Sequence, residues 1–228
     1  MRTSIRLLSL VALGAVASCD VGTTIAGVSG DPSLRVVNAF TSPVDVLVDG
    51  NVSIAAMAAG TISTTFAAPG THTLVLRPTG SGASISQSIT SAVGALSTIA
   101  VVRSASGSLS SAVLDDTNSV VPAGATKVRV LHLAPNAGTL QVYRTQPDFQ
   151  TPTSWQFPFN YQPDPTSLSA PFYQSTTGSW EVRVWQTPAD ASGWATAPAK
   201  VIIPLASGEK ATVVILDKPG GGVKIEVI

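Results

Sequence analysis

The chain has 228 residues, of which 11% are charged and 44% are apolar, and this composition excludes an intrinsically disordered chain. Its formal net charge is zero, and loss of Arg2 and Arg6 with the leader described below leaves 11 basic residues against 13 acidic ones. No excess of basic residues remains to follow a phosphate backbone, so the sequence predicts no nucleic-acid partner.

The first 18 residues have the composition of a secretory leader, with Arg2 and Arg6 ahead of an apolar run at 7–17. That run has about half the length that a membrane-spanning helix requires. It ends in Val-Ala-Ser-Cys, which resembles the bacterial lipobox, and the resemblance implies that Cys19 is lipidated and becomes the N-terminus. A diacylglyceryl group supplies two acyl chains, which anchor a protein stably. The alternatives are an ordinary signal peptide with an incidental cysteine, or a buried free thiol.

The expected location is therefore the bacterial cell envelope, with the membrane as partner through the lipid on Cys19, on the periplasmic face or at the cell surface. Residues 19–32 are small and polar without an apolar period, which predicts a flexible tether. Because Cys19 is the only cysteine, no disulfide can form within the chain. The folded part must depend on its apolar cores alone.

The first domain is predicted at 33–117 and begins with a strand at 34–39. After a turn at Pro43, the valines at 44, 46 and 48 alternate with Asp45, Leu47 and Asp49, as in a half-buried strand. The pair Asp49-Gly50 favours a tight hairpin turn. Further strand candidates lie at 53–57, 61–66, 71–77, 84–90, 97–103 and 109–114. About seven short strands with frequent turns predict a β-sandwich, and the lack of helical periodicity excludes a parallel α/β fold.

The second domain, predicted at 127–228 after a linker at 118–126, repeats the first. The segment LRVVNAFTSPVDVLVDG at 34–50 returns as KVRVLHLAPNAGTLQVYR at 127–144. The offset between matched positions increases only between strands, where insertions fall in loops. This pattern predicts a duplicated unit. The matched positions are Arg35 with Arg129, Val44 with Leu140, Gly70 with Gly178, Gly94 with Gly208, Val101 with Ile215, and Val113 with Val227.

The two opening segments resemble the opening motif of the DUF4397 family. They are RVVNAF…PVDVLVDG and VRVLHLAPNAGTLQVY. The sequence LDDT at 114–117 also resembles sequences of that family. The resemblance implies two tandem, immunoglobulin-like, antiparallel β-sandwich domains in a bacterial envelope protein, and it implies no activity. The motif's usual His is Asn38 in the first copy, and its usual Asp is Gln141 in the second. Neither copy carries both residues, which argues against a shared catalytic or metal role.

No catalytic site, metal site or cofactor is predicted. His132 precedes a turn and is expected to hydrogen-bond that turn, and His72 is expected to be an exposed or edge residue. Zinc needs three or four convergent ligands, whereas the chain has two distant histidines and one cysteine. No Gly-x-Ser-x-Gly elbow and no Asp-x-Asp-x-Asp-Gly calcium loop is present in the sequence. The carboxylates of Asp45, Asp49, Asp115 and Asp116 are interpreted as solvated turn residues.

The second domain carries an aromatic and Pro-rich insertion at 147–173. Prolines lower the entropy cost of holding flat rings in place, so this loop is a candidate binding surface for sugar rings or a partner protein. The alternative is a lid whose rings extend the second core. The candidate ligand-binding residues are Trp155, Phe157, Phe159 and Tyr161.

The sequence thus predicts a non-enzymatic cell-envelope lipoprotein with a structural, adhesive or ligand-presenting role, whose partner is a glycan or another envelope protein. The alternative is a glycan or small-ligand binding protein that uses the aromatic insertion. A hydrolase would need His132 beside a Ser and a carboxylate in an open cleft.

Overall fold

The computed structural model describes residues 32–117, 120–147, 171–185 and 199–228, together with the backbone of 157–159. These residues form strands and turns and no helix, which confirms the predicted all-β fold. Within them, no helix is long and apolar enough to cross a membrane. The predicted leader, Cys19 and the tether up to residue 31 lie outside the described residues.

Each half of the chain contributes eight strands among the described residues. The first eight are β1 Ser33–Asn38, β2 Val44–Val48, β3 Asn51–Met57, β4 Thr61–Phe66, β5 Gly70–Pro78, β6 Ile85–Ser91, β7 Leu96–Arg103 and β8 Leu109–Asp115. The next eight are β9 Ala125–Leu133, β10 Leu140–Thr145, β11 Phe157–Phe159, β12 Tyr173–Thr176, β13 Gly178–Trp185, β14 Ala199–Leu205, β15 Lys210–Asp217 and β16 Val223–Val227.

The strands form four sheets of four strands each. The first half has the orders β4-β1-β7-β8 and β3-β2-β5-β6, and the second half has β12-β9-β15-β16 and β11-β10-β13-β14. Adding eight to every label converts the first pair of sheets into the second pair. The repeat seen in the sequence is therefore also a repeat of topology, and each repeat folds as one sandwich.

Two glycine pairs show how closely the repeats correspond. Gly70 and Gly178 open β5 and β13 with φ angles of 141° and 129°. Gly94 and Gly208 occupy the turns before β7 and β15 with φ angles of 68° and 87°. These are backbone conformations that glycine adopts without steric cost. Both pairs were matched in the sequence alignment above.

Within the described residues, each sandwich has one parallel strand pair, and its other pairs are antiparallel. β1 runs parallel to β7, with Arg35 beside Thr98, and β9 runs parallel to β15, with Arg129 beside Thr212. These four strands are central in their sheets. We call the two sheets that contain them the inner sheets and the other two the outer sheets.

The described residues form three separate apolar clusters. One lies inside the first sandwich and one inside the second. The third joins the two inner sheets face to face, so that four layers follow in the order outer, inner, inner, outer. Its buried members are equivalent positions of the two repeats, as in the interface of a symmetric dimer. They are Val37 with Leu131, Ala39 with Leu133, Ala100 with Val214, and Val102 with Leu216.

Candidate functional site

Among the described residues, a cluster of buried charge lies between the two sandwiches, around the carboxylate of Asp116. Arg129 donates from Nη2 to Asp116 Oδ1, and Thr98 donates from Oγ1 to Oδ2 at 2.5 Å. Arg35 Nη1 lies 3.7 Å from the same Oδ2. The three charged side chains are only 3–6% exposed. We call Arg35, Thr98, Asp116, Arg129 and Thr212 the interface charge cluster.

The duplication of the fold positions this cluster. Arg35 and Arg129 occupy equivalent places on β1 and β9, and each has a threonine beside it on the neighbouring parallel strand. Arg129 also donates from Nη2 to Thr212 Oγ1 at 3.0 Å. Asp116 directly follows β8, and its backbone N–H donates to Leu96 O at 3.0 Å. The carboxylate of Asp116 thus interacts with both Arg35 and Arg129, which occupy equivalent positions in the two repeats.

The positive charges around Asp116 outnumber its single negative charge. Lys210 donates from Nζ to the backbone oxygen of Asp116 at 2.6 Å, and the Arg129 guanidinium lies 4.6 Å from the centre of the Phe172 ring. Burial lowers the pKa of Arg35, the Asp116 carboxylate acts in the opposite direction, and Arg129 lowers this pKa further. Asp116 is therefore the carboxylate that compensates the buried positive charge among the described residues of this cluster. The cluster is a structural contact that joins the two sandwiches through buried ion pairs.

His132 closes the loop that follows its own strand. Its Nε2 lies 2.8 Å from Gly138 O, and the Ala134 N–H donates to Nδ1 at 3.3 Å. This geometry matches a neutral ring with the proton on Nε2, and burial lowers the pKa of His132. The prediction that His132 hydrogen-bonds its own turn is confirmed.

His72 was expected at an exposed or edge position; it lies on a central strand, and its side chain is partly exposed. It lies on β5, between β2 and β6, and its side chain is 12% exposed. Its Nδ1 is 2.6 Å from Asp49 Oδ2, and its Nε2 is 2.6 Å from Ala68 O. The bond to Asp49 and then the bond to Ala68 raise the pKa of His72, because both acceptors favour a ring with two N–H groups.

The interpretation of four aspartates as solvated turn residues is wrong for two of them. Asp116 is buried in the interface charge cluster, and Asp45 is 9% exposed. Asp45 accepts from the Ala56 N–H at 2.9 Å and from Arg77 at 3.0 Å, and these bonds lower its pKa. Asp49 and Asp115 are exposed, as predicted. In the part of the chain that the structure describes, no three His, Cys, Asp or Glu residues are grouped to hold a metal ion.

The structure describes two of the four candidate ligand-binding residues of the insertion, and these only as backbone. Trp155 and Tyr161 lie outside the described residues. Phe157 and Phe159 are backbone positions of β11, the edge strand of the second outer sheet, and they pair with Val142 and Leu140. Both of these partners belong to the core of the second sandwich.

The same outer sheet carries aromatic and charged side chains that were not predicted from the sequence as site residues. The rings of Tyr143 and Trp185 meet edge to face, with centroids 5.2 Å apart and an angle of 88°. On the same face, Arg183 donates from Nε to Glu181 at 2.6 Å. All four side chains are buried. The sequence does contain a pattern that could have identified this face, because residues 181, 183 and 185 alternate with the core valines at 182 and 184.

Fold and cluster together define an all-β protein of two β-sandwiches joined through equivalent faces. Residues 32–143 match the model of a family described as "Domain of unknown function (DUF4397)". A comparison with curated proteins found no match. A solved structure described as "Alpha-glucan binding by a streptococcal virulence factor" is similar over 85% of this chain and 96% of that chain. The sequence identity is 10% and the TM-score is 0.25.

Proposed function

We propose that the chain is a non-enzymatic lipoprotein of the bacterial cell envelope. Cys19 carries the lipid, and the two sandwiches form one rigid module with a structural, adhesive or ligand-presenting role. The observation that supports this role is the contact between the inner sheets, with its own apolar cluster and the interface charge cluster. Tandem domains usually move relative to each other unless the contact between them is extensive and apolar.

The engagement of the two histidines supports a role without catalysis. Histidine is the side chain most often used in general acid–base chemistry. Here the ring nitrogens of His132 contact the backbone of its own loop, and those of His72 contact Asp49 and Ala68. Through these bonds, each imidazole ring stabilises the loops or turns that it contacts.

The lipid anchor is tested by growing cells that express the full chain with a clickable palmitate analogue. The wild-type chain is expected to incorporate the label, and Cys19→Ala is expected to lose it completely. Ser18→Ala is the matched control, because alanine keeps a small residue before the cysteine, and it should label like the wild type. Label that persists in Cys19→Ala would refute the anchor.

A second candidate function is the binding of a glycan or small ligand by the second sandwich. The observation in its favour is the edge-to-face pair Tyr143 and Trp185 beside Glu181 and Arg183 on one face of the outer sheet. Aromatic rings with a few fixed polar groups are the usual lining of ligand sites. The burial of these side chains means that binding would require this face to become accessible.

A glycan and cell-wall binding array with the full chain in detergent tests this second candidate. If the aromatic insertion provides the site, Trp155→Ala should abolish the signal. Phe66→Ala, which changes an exposed ring of the first sandwich, should leave it unchanged. An array without signal, or equal signals from the two variants, would eliminate the aromatic insertion as a glycan site.

A further inference from the structure

The turns of the first sandwich gather at two opposite ends, and the chain enters at one of them. The Ser33 N–H donates to Ala95 O at 2.9 Å, and the Ala67 N–H donates to Pro32 O at 3.4 Å. His72 connects Asp49 with Ala68 at the same end. The turns around residues 49–51, 66–70 and 92–95 therefore surround the entry point at Pro32. We call this end the base and the opposite end the apex.

The second sandwich has its base on the same side. Lys210, the first residue of β15, donates to the backbone oxygens of Asp116 and Thr117, which follow β8 at the base. At the apex, a Cβ placed on Gly60 would lie 3.3 Å from Asp217 O, at the end of β15. The segment 120–124 and the turn 206–209 therefore also lie at the base, joined by the bond from Gly124 N–H to Ser207 Oγ at 3.0 Å.

The base exposes large apolar side chains that the apex does not. Among the described residues, the apex turns carry no exposed large hydrophobic side chain, and other such residues lie along strands. Four lie in the base turns, in the adjoining 120–124 segment or at the base ends of strands. They are Val52 (55% exposed), Phe66 (59%), Val93 (71%) and Val120 (84%). Exposed apolar residues gathered at one end of a soluble fold indicate a contact surface.

The length of chain before Pro32 identifies the occupant of this surface. Pro32 lies thirteen positions after Cys19, a span of at most about 45 Å for a fully extended chain. The strands themselves are roughly 20–30 Å long. Because the chain enters the folded part at the base, an acyl chain on Cys19 tethers the base, and not the apex, to the bilayer.

We propose that the base is a membrane-docking surface, on which Phe66 and Val93 enter the interfacial region of the bilayer that holds the lipidated Cys19. The two sandwiches then stand end-on, with the apex turns directed away from the lipid. This inference rests on the lipid anchor proposed above. Charged side chains at the base have both signs, with Asp49, Asp115 and Glu209 against Lys127 and Lys210. The docking is therefore apolar and does not depend on anionic lipid.

Spin labels at the two ends of the first sandwich test the orientation. Val93→Cys places a thiol at the base, and Ala83→Cys places one in an exposed apex turn. Each full-length protein is purified from cell membranes, labelled with a nitroxide and reconstituted into vesicles of phosphatidylethanolamine and phosphatidylcholine. Paramagnetic relaxation by oxygen, which concentrates in lipid, is then compared with relaxation by a water-soluble nickel chelate.

The label at position 93 is expected to show a severalfold higher ratio of oxygen to nickel accessibility than the label at position 83. Adding Phe66→Ser to the Val93→Cys protein should bring the ratio down toward the apex value. Equal ratios at the two ends would overturn the docking surface. The unsubstituted chain tests the anchor separately: a lipidated Cys19 takes up no nitroxide, whereas one label per chain in its mass spectrum would refute the proposed function.

Discussion

Asn38 and His132 occupy the same position in the two repeats and close the following loop in the same way. The Asn38 Oδ1 accepts the N–H of Phe40, and the His132 Nδ1 accepts the N–H of Ala134, two residues later in each case. Each side chain also lies within hydrogen-bond distance of a more distant carbonyl oxygen, Met57 O for Asn38 and Gly138 O for His132. The difference between the copies is that only the histidine can gain a proton.

Acidification should therefore destabilise the second repeat through His132. The pKa of His132 is lowered in the folded chain, so below pH about 6.5 the unfolded chain binds a proton that the folded chain resists. The stabilisation present above pH about 6.5 is lost as the pH falls through the folded pKa, at about 1.4 kcal/mol for each unit of pKa difference. His132→Asn should reduce the loss of free energy of unfolding between pH 8 and pH 5, measured by urea titration. An unchanged loss would contradict this role.

His72 should show the opposite pH dependence. Its pKa is raised by Asp49 and Ala68, so its contribution is fully present below the unfolded pKa of about 6.5 and disappears as the pH rises through the folded pKa. His72→Gln should lower the melting temperature at pH 5 more than at pH 9. Thr71→Gln, one residue away on the exposed face of β5, is the control and should show no such pH dependence. A His72→Gln effect of equal size at both pH values would rule out the charged pair.

Removal of the Asp116 carboxylate should destabilise the chain strongly. Asp116→Asn leaves Arg35 and Arg129 buried without a counter-charge, and loss of one partner of a buried ion pair costs about 3–5 kcal/mol. Asp115→Asn changes the exposed neighbour and keeps an oxygen for the bond to the Thr117 N–H, so it should cost about 0.5 kcal/mol or less. Free energies of unfolding from urea titration decide between them. Equal costs would mean that the arginines do not need the carboxylate.

The contact between the inner sheets should make the two sandwiches unfold together. Tryptophan fluorescence reports only on the second half, because all four tryptophans lie between positions 155 and 194, whereas circular dichroism reports on both halves. The two urea curves should coincide for the wild type. Val214→Asp places a charge at a fully buried interface position and should separate the curves.

Ile202→Asp is the matched control for that experiment, since it makes a similar change at a position that is 54% exposed on the second outer sheet. Its two curves should still coincide. Curves that coincide for Val214→Asp as well would show that the inner-sheet contact does not couple the sandwiches.

The strands and the repeat could be predicted from the sequence because both depend on local patterns. The alternation of 44–48 predicts a half-buried strand, and the strand β2 forms there, but four of its five residues are buried, Asp45 among them. The matched arginines Arg35 and Arg129 occupy equivalent strand positions, as the alignment required. The contact between the repeats can also be recognised in the sequence, but not from an alternation of apolar and polar residues. Residues 99–102 and 213–216 are continuous apolar runs, which are typical of strands buried on both faces.

The interface charge cluster could not be predicted from the sequence. Asp116 follows a strand and precedes polar residues, the usual context of a solvated turn carboxylate. Its partners Arg35, Thr98 and Arg129 come from three other strands, at separations that no local pattern fixes. Pairing of β1 with β7 in parallel, which places Arg35 beside Thr98, likewise depends on the tertiary fold.

The close approach of the sandwiches at the apex gives a final prediction, at Gly60. Gly60 has φ of 71°, and Gly80 in another apex turn has φ of 77°, so alanine at either position costs about 1–2 kcal/mol of left-handed backbone strain. A Cβ at Gly60 would in addition lie 3.3 Å from Asp217 O in the other sandwich, whereas a Cβ at Gly80 would meet nothing within 4 Å. Gly60→Ala should therefore lower the free energy of unfolding more than Gly80→Ala, measured by urea titration. If the two variants lose the same amount, the sandwiches do not approach each other at Gly60 as closely as the structure describes.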